Sequence, residues 1–180
     1  MVIQIKRGIF DSLEDEMVGA ACFQPMLLVY KNKIAEQTEQ DHYAVKSQFY
    51  RQLTGGQQAL FTFYVYHNHA WKSPVEFYWW TAYFLAQPEI WSAIKGGLQY
   101  FEADSMLNLL EETEGLLKVK DYPRSLEDFS VSREDLDTNE ELLTAIRSLH
   151  AAYRELTPAT LRMVGEHIRN NPNEFVDFID

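Results

Sequence analysis

The residues best suited to chemistry stand close together in the middle of the chain, where His67 and His69 are followed by Glu76. Imidazole and carboxylate groups bind zinc and iron, and His42 could add a further ligand, so a small metal-dependent hydrolase is one hypothesis. Histidines two residues apart share a face only on a strand, whereas on a helix they point about 200° apart. We therefore favour structural roles, with one histidine exposed at a helix end and the other hydrogen-bonded in the core, and we expect no metal.

Nothing else in the sequence has the pattern of a catalytic centre. The single cysteine, Cys22, lies among apolar residues and is expected to be a small buried hydrophobe rather than a nucleophile. The glycine pairs at 55–56 and 96–97 lack the strand-before, helix-after pattern of a phosphate-binding loop and are expected to end helices. The sequence thus predicts a non-enzymatic protein without a cofactor.

Carboxylates are the most abundant functional groups. The chain has 27 acidic and 16 basic residues, a net charge of −11, which argues against direct binding of nucleic acid. Thirteen of the acidic residues but only four basic ones lie between Glu102 and Glu141. They could be solvated helix faces and a polar loop, or a negative surface that attracts a basic protein. On the second interpretation the predicted partner-binding residues are Glu111, Glu112, Glu114, Asp128, Glu134, Asp135 and Asp137.

The segment 77–84 contains six aromatic residues in eight positions. Apolar groups surround the predicted helix on every side, which is typical of a helix buried in a core. A ligand groove or a homodimer face is the alternative, because tryptophan and tyrosine dominate binding hot spots.

The elements that position these residues are predicted to be almost entirely helical. Ser73-Pro74-Val75-Glu76 is the clearest helix start, with an N-cap serine, proline at the first helical position and glutamate at the third. Capping boxes are predicted at 11–14 and 138–141, and Pro25 and Pro158 are predicted to separate helices. The predicted helices cover about 12–22, 25–36, 40–53, 57–71, 74–87, 88–95, 106–117, 138–156 and 158–170, with a final turn at 174–178.

The sequence therefore predicts an all-α protein, a single compact domain over residues 1–180 with about eight helices. Residues 2–5 are predicted to form a short N-terminal strand or an arm, and residues 118–137 an acidic connecting segment. The longest apolar run, 77–86, is about half of a membrane span, and the first residues lack the pattern of a secretory leader. We expect a cytoplasmic protein with no membrane contact.

Two stretches carry a resemblance to a known family. Leu53-Thr-Gly-Gly-Gln57-Gln-Ala-Leu60 and Trp91-Ser-Ala-Ile-Lys-Gly-Gly-Leu-Gln-Tyr-Phe101 resemble a family of small acidic bacterial proteins named after a DNA-mimic protein. The segments Tyr153-Arg-Glu-Leu-Thr-Pro and Ile168-Arg-Asn-Asn-Pro-Asn-Glu-Phe175 are similar to the ends of such proteins. An alternative alignment places the family's glycine turn at Asn68-His-Ala70. The resemblance implies a helical fold, a dimer, no enzyme activity, and an acidic surface that binds a DNA-binding protein.

Three functional hypotheses follow from the sequence. The first is a non-enzymatic acidic module that binds a basic protein partner, as a nucleic-acid mimic would. The second is an immunity or antitoxin-like protein that neutralises a basic toxin. The third is the metal-dependent hydrolase built on His67, His69 and Glu76.

Overall fold

A computed structural model describes residues 1–36, 42–119 and 125–180, except for the side chains of residues 42 and 43. The described part is all-α with a short two-stranded sheet, which confirms the predicted fold class. Its elements are β1 (Gln4–Lys6), α1 (Arg7–Ser12), α2 (Asp15–Ala35), α3 (His42–Arg51), α4 (Gly55–Ala70), α5 (Pro74–Leu85), α6 (Pro88–Tyr100), α7 (Asp104–Val119), α8 (Asp135–Thr138), α9 (Glu140–Asn170), a 3₁₀ turn (Pro172–Glu174) and β2 (Asp177–Ile179).

Backbone contacts divide the chain into two units. The first comprises Met1–Phe61 together with Leu161–Asp180, and the second comprises Thr62–Thr160. Helices α4 and α9 contribute residues to both units. The side chain of His42 and residues 120–124 of the predicted connecting segment 118–137 lie outside the described part.

In the first unit, α2, α3 and the start of α4 share an aromatic cluster. Phe61 lies 5.1 Å from Phe49, 5.6 Å from Phe23 and 5.6 Å from Tyr30, measured between ring centroids. Phe23 and Phe49 are almost completely buried, so these rings form the centre of the core here.

The chain ends of the first unit are held together by backbone and side-chain hydrogen bonds. Strands β1 and β2 pair in parallel, with Ile5 opposite Phe178. The buried side chain of Gln57 donates through Nε2 to the carbonyls of Met1 and Phe175, each at 2.9 Å. Gln57 on α4 therefore connects the N-terminal and the C-terminal segment of the chain through one side chain.

The second unit has its own core around α4, α5 and α9. Tyr66, Phe77, Tyr78 and Tyr153 are fully buried. The hydroxyl of Tyr66 shares a hydrogen bond of 2.8 Å with that of Thr81, so the polar end of this aromatic residue is satisfied within the core.

Both prolines that were predicted to separate helices lie inside them. Pro25 is within α2 and Pro158 is within α9, so the predictions of two helix breaks are wrong. Buried side chains on both sides of each proline, such as Phe23 and Met26, or Tyr153 and Val164, favour continuation of the helix. This packing outweighs the cost of a missing amide hydrogen, which is about 3 kcal/mol in a helix interior.

The glycine pairs were also expected to end helices, and neither does. Gly55 begins α4, where Thr54 Oγ1 accepts a hydrogen bond of 3.1 Å from the Gln57 amide. Gly96 and Gly97 lie within α6. Glycine has a low intrinsic helix propensity. At the first pair the capping threonine outweighs this propensity, and at the second pair the burial of neighbouring residues does so.

The capping predictions have mixed outcomes. Ser73 caps α5 as predicted, accepting a hydrogen bond of 3.1 Å from the Glu76 amide. The predicted box at 11–14 is wrong, because Glu14 is the N-cap of α2 and makes no side-chain cap bond. Asn139 accepts from the Leu142 amide at 3.0 Å, one residue after the predicted cap of α9. The final turn predicted at 174–178 is partly strand, since β2 begins at Asp177.

None of the helices in the described ranges combines the length and apolarity that crossing a bilayer requires.

Candidate functional site

Helix α5 is buried on one side and partly exposed on the other. Phe77, Tyr78 and Phe84 are buried, as the core prediction required. Trp79, Trp80 and Tyr83 are only half-buried, and we call these three residues the aromatic face. Large half-exposed aromatic residues are typical of protein-binding surfaces, because they bury much apolar area at little conformational cost.

Residues 125–137, which we call the acidic strap, are attached to the aromatic face. The Phe129 ring meets those of Trp79 and Tyr83 edge to face, at centroid distances of 5.7 and 5.6 Å. Trp79 Nε1 donates to the Val131 carbonyl at 3.1 Å. Ring contacts and one indole hydrogen bond thus fix the middle of the strap on α5.

A salt bridge provides a further attachment. Arg133 Nε donates to Glu76 Oε1 at 2.6 Å, and the same guanidinium lies over the Trp79 ring with Cζ 4.3 Å from the centroid. The indole of Trp80 donates to Glu76 Oε2 at 2.8 Å. Hydrogen bonds from Arg133 are the main reason that the pKa of Glu76 is lowered, against the smaller opposing effect of burial.

Most of the strap carboxylates are exposed. Glu127, Asp128, Glu134 and Asp137 are exposed to solvent, whereas Asp135 is half-buried. Asp135 accepts hydrogen bonds from the Tyr78 hydroxyl at 3.0 Å and from the Ser132 amide at 2.9 Å. Asp135 therefore holds the strap, and the four exposed carboxylates give it a negative surface.

The predicted binding residues on α7 have different environments. Glu111 and Glu112 are exposed. Glu114 is mostly buried and accepts hydrogen bonds from Trp91 Nε1 and Lys95 Nζ, both at 2.8 Å, and it pairs with Lys118.

These contacts determine the charge state of Glu114. Burial alone would raise the pKa of this carboxyl, but the hydrogen bonds from Lys118, Lys95 and Trp91 outweigh it and hold the pKa at about 2. Its charge is neutralised locally, so Glu114 links α6 to α7 and contributes little negative field at the surface.

His67 is a core residue. Its Nδ1 and the Tyr153 hydroxyl are 2.9 Å apart in a buried hydrogen bond, and its ring stacks on Phe63. Burial lowers the pKa of His67 to about 4, so the imidazole is neutral at physiological pH.

His69 and Glu76 also have partners of their own. The His69 ring stacks on Trp80 with 3.6 Å between centroids, and Glu76 is engaged by Arg133 and Trp80. Within the described residues, no three His, Cys, Asp or Glu side chains are arranged to hold a metal ion. The geometry around His67, His69 and Glu76 therefore gives the hydrolase hypothesis no support.

Two residues that connect the strap to α5 were missed by the sequence reasoning. Phe129 is the one aromatic residue between positions 125 and 137, and Arg133 is the one basic residue between positions 125 and 141. Isolated residues of this kind in a charged loop could have predicted an attachment point, but not the surface to which they attach.

Comparisons with known proteins give no relative from which a function could be transferred. No protein-family model, curated protein or solved structure matches the chain.

Proposed function

We propose that this chain is a non-enzymatic binding module that engages a basic protein through the acidic strap and the aromatic face beneath it. The supporting observation is that four exposed carboxylates lie on a segment that is fastened to two half-buried aromatic residues, Trp79 and Tyr83. An aromatic centre with a charged rim is the usual anatomy of a protein–protein interface. The rim charges would increase the association rate and select a cationic partner, while the rings would supply most of the affinity.

The sequence composition supports the same proposal. The second unit has sixteen acidic and eight basic residues, so it carries most of the chain's excess negative charge. Leu126 on the strap is 46% exposed and adds apolar area beside the carboxylates. A cytoplasmic location and a DNA-binding protein or a toxin as partner remain parts of this proposal.

The test compares two variants that each lose four negative charges. The strap-neutral variant carries Glu127→Gln, Asp128→Asn, Glu134→Gln and Asp137→Asn. The remote-neutral variant carries Asp11→Asn, Glu36→Gln, Glu166→Gln and Asp180→Asn, which are exposed residues of the first unit. Both are used with the wild type to capture proteins from a lysate of the native cells at low and moderate salt.

We expect the wild type and the remote-neutral variant to capture the same basic protein at low salt, with weaker capture at higher ionic strength. The strap-neutral variant should lose most of this capture. Equal capture by both variants, or a partner that is not basic, would contradict the proposal. Competition by duplex DNA for the captured protein would identify a nucleic-acid mimic, and its absence would favour the antitoxin-like alternative.

A further inference from the structure

The environment of the Arg133 side chain is that of a guanidinium-binding site. Nε donates to Glu76 Oε1 at 2.6 Å and Nη2 donates to Glu76 Oε2 at 3.1 Å, so both carboxylate oxygens are engaged. The guanidinium carbon lies 4.3 Å from the centroid of the Trp79 ring. Two-pronged pairing with a carboxylate favours arginine over lysine, because a lysine ammonium cannot present two parallel N–H donors to both carboxylate oxygens. The contact with the indole adds a cation–π attraction, which is stronger for arginine in most proteins.

The acceptor side of this site is built on a helix. Glu76 lies in the first turn of α5, which Ser73 caps, and it is oriented by the Trp80 indole at 2.8 Å. The Trp79 ring stacks on Tyr83, with 5.2 Å between centroids and an interplanar angle of 10°. These contacts lie within α5 and do not involve Arg133, so they help to orient the carboxylate and the ring independently of the guanidinium.

The segment that carries Arg133 is irregular, whereas the acceptor side of the site lies on a helix. Arg133 belongs to residues 125–134, which contain no helix or strand, and 40% of its side chain is exposed. Exchange of this guanidinium for another would require residues 125–134 to release their contacts with Trp79 and Tyr83, while α8 and its Asp135–Tyr78 hydrogen bond could stay in place.

We propose that Glu76 and Trp79 form an arginine-binding site that Arg133 fills in cis and that an arginine of the basic partner takes over when the strap is displaced. The identity of the natural occupant rests on the proposed function. The site itself can be tested without a partner.

The probe is N-acetyl-arginine methylamide, titrated into the Arg133→Ala variant while the indole N–H resonances of Trp79 and Trp80 are followed by NMR. We expect a saturable shift of both resonances and binding about tenfold tighter than to the wild type, where Arg133 leaves the site open for only a small fraction of the time. The lysine analogue should bind the variant several-fold more weakly. Arg147→Ala, which removes a positive charge from an exposed residue of the same unit, should behave like the wild type.

Equal binding to the Arg133→Ala and Arg147→Ala variants would show that the probe responds only to net charge and would overturn the site. Binding that persists in the Glu76→Gln/Arg133→Ala double variant would also overturn it. The Trp91 indole, which is bonded to Glu114 away from the strap, reports whether the fold is intact. If Arg133→Ala disturbs this resonance, the Arg133→Lys variant is used in place of Arg133→Ala. The probe then competes with the lysine side chain, and it should still bind this variant more tightly than it binds the wild type.

The two proposals fail in different ways. If the probe binds but no basic protein is captured, the arginine-binding site is supported and the proposed partner is contradicted. If capture depends on the strap carboxylates but the probe does not bind, the basic partner is supported and the arginine-binding site is contradicted.

Discussion

The backbone of α9 approaches that of α2 closely at Gly165. A β-carbon added there would lie 1.9 Å from the carbonyl oxygen of Asp15, which is closer than any van der Waals contact. The obstacle is backbone and cannot rotate away, so the helix would have to shift. We expect Gly165→Ala to lower the free energy of unfolding by about 3 kcal/mol, as measured by urea denaturation.

Two other helical glycines supply the control for this prediction. A β-carbon at Gly96 or Gly115 would meet no atom within 4 Å. Alanine has the higher helix propensity, so each substitution should raise the free energy of unfolding by about 0.5–1 kcal/mol. If Gly165→Ala raised the free energy of unfolding, or if all three substitutions changed it equally, the close approach of α9 to Asp15 would be contradicted.

His67 should make the stability depend on pH. Its pKa is lowered from 6.5 to about 4 by burial, so below pH 6.5 the unfolded chain binds a proton that the folded chain does not. The stabilisation is therefore complete above pH 6.5 and is lost as the pH falls towards 4. The full effect is about 3 kcal/mol, because each pKa unit corresponds to about 1.4 kcal/mol.

The measurement compares the wild type with His67→Leu by urea denaturation between pH 7 and pH 4. The pKa values of His69 and His150 are also lowered, so only the difference between the two proteins isolates His67. The variant should be less stable at pH 7, because the buried Tyr153 hydroxyl loses its partner, but its stability should fall less steeply. Parallel curves would show that His67 keeps an ordinary pKa in the folded protein.

At the scale of the helix, Pro158 stands in the interior of α9, where it cannot donate to the carbonyl of Arg154. The neighbouring threonines donate to carbonyls four residues earlier, Thr157 to Tyr153 at 2.7 Å and Thr160 to Leu156 at 3.0 Å. Pro158→Ala restores the missing donor and should raise the free energy of unfolding by about 2 kcal/mol.

Pro88→Ala is the matched control for this change. Pro88 is the first residue of α6, a position that needs no amide donor and that proline favours. Its replacement should lower the free energy of unfolding by up to about 1 kcal/mol, mainly through the greater entropy of the unfolded chain. If both variants changed the free energy of unfolding in the same direction, the position of a proline within its helix would not determine whether it destabilises the protein.

The helices were predictable where a local pattern and burial agree. The start of α5 follows from the chemistry of Ser73 and Pro74 alone, and the aromatic run 57–71 was correctly assigned as helix. The breaks expected at Pro25, Pro158 and Gly96-Gly97 failed for one reason, whereas Gly55 begins α4 behind a capping threonine. The helix propensities of different residue types differ by a few kcal/mol at most. The free energy gained by burying side chains on both sides of such a residue can exceed this difference.

The candidate site was predictable in composition but not in assembly. The sequence identified the acidic residues and the aromatic helix as separate features. That Glu76 pairs with Arg133, 57 positions later, depends on how the strap folds back onto α5. The sequence also could not distinguish Glu114 from Glu111 and Glu112, because the lysines that neutralise it lie on α6 and one turn further along α7.

For the molecule as a whole, the distribution of charge is the property that most needs an explanation. A net charge of −11 imposes self-repulsion on the folded chain, and the exposed strap carboxylates add to it. Proteins commonly retain such stability costs where the groups are needed for function. The strap-neutral variant therefore tests whether these carboxylates serve the fold or something outside it.

We expect the strap-neutral variant to melt about 2–4 °C above the wild type at low ionic strength, because it removes four like charges from a chain of net charge −11. The difference should shrink as salt is added, because exposed charges are screened. Differential scanning calorimetry at about 20 mM and about 300 mM NaCl measures both quantities. A variant that melts below the wild type would show that the strap carboxylates stabilise the fold, and their exposure would then need no binding partner. A rise in melting temperature together with loss of capture would separate stability from binding in a single protein.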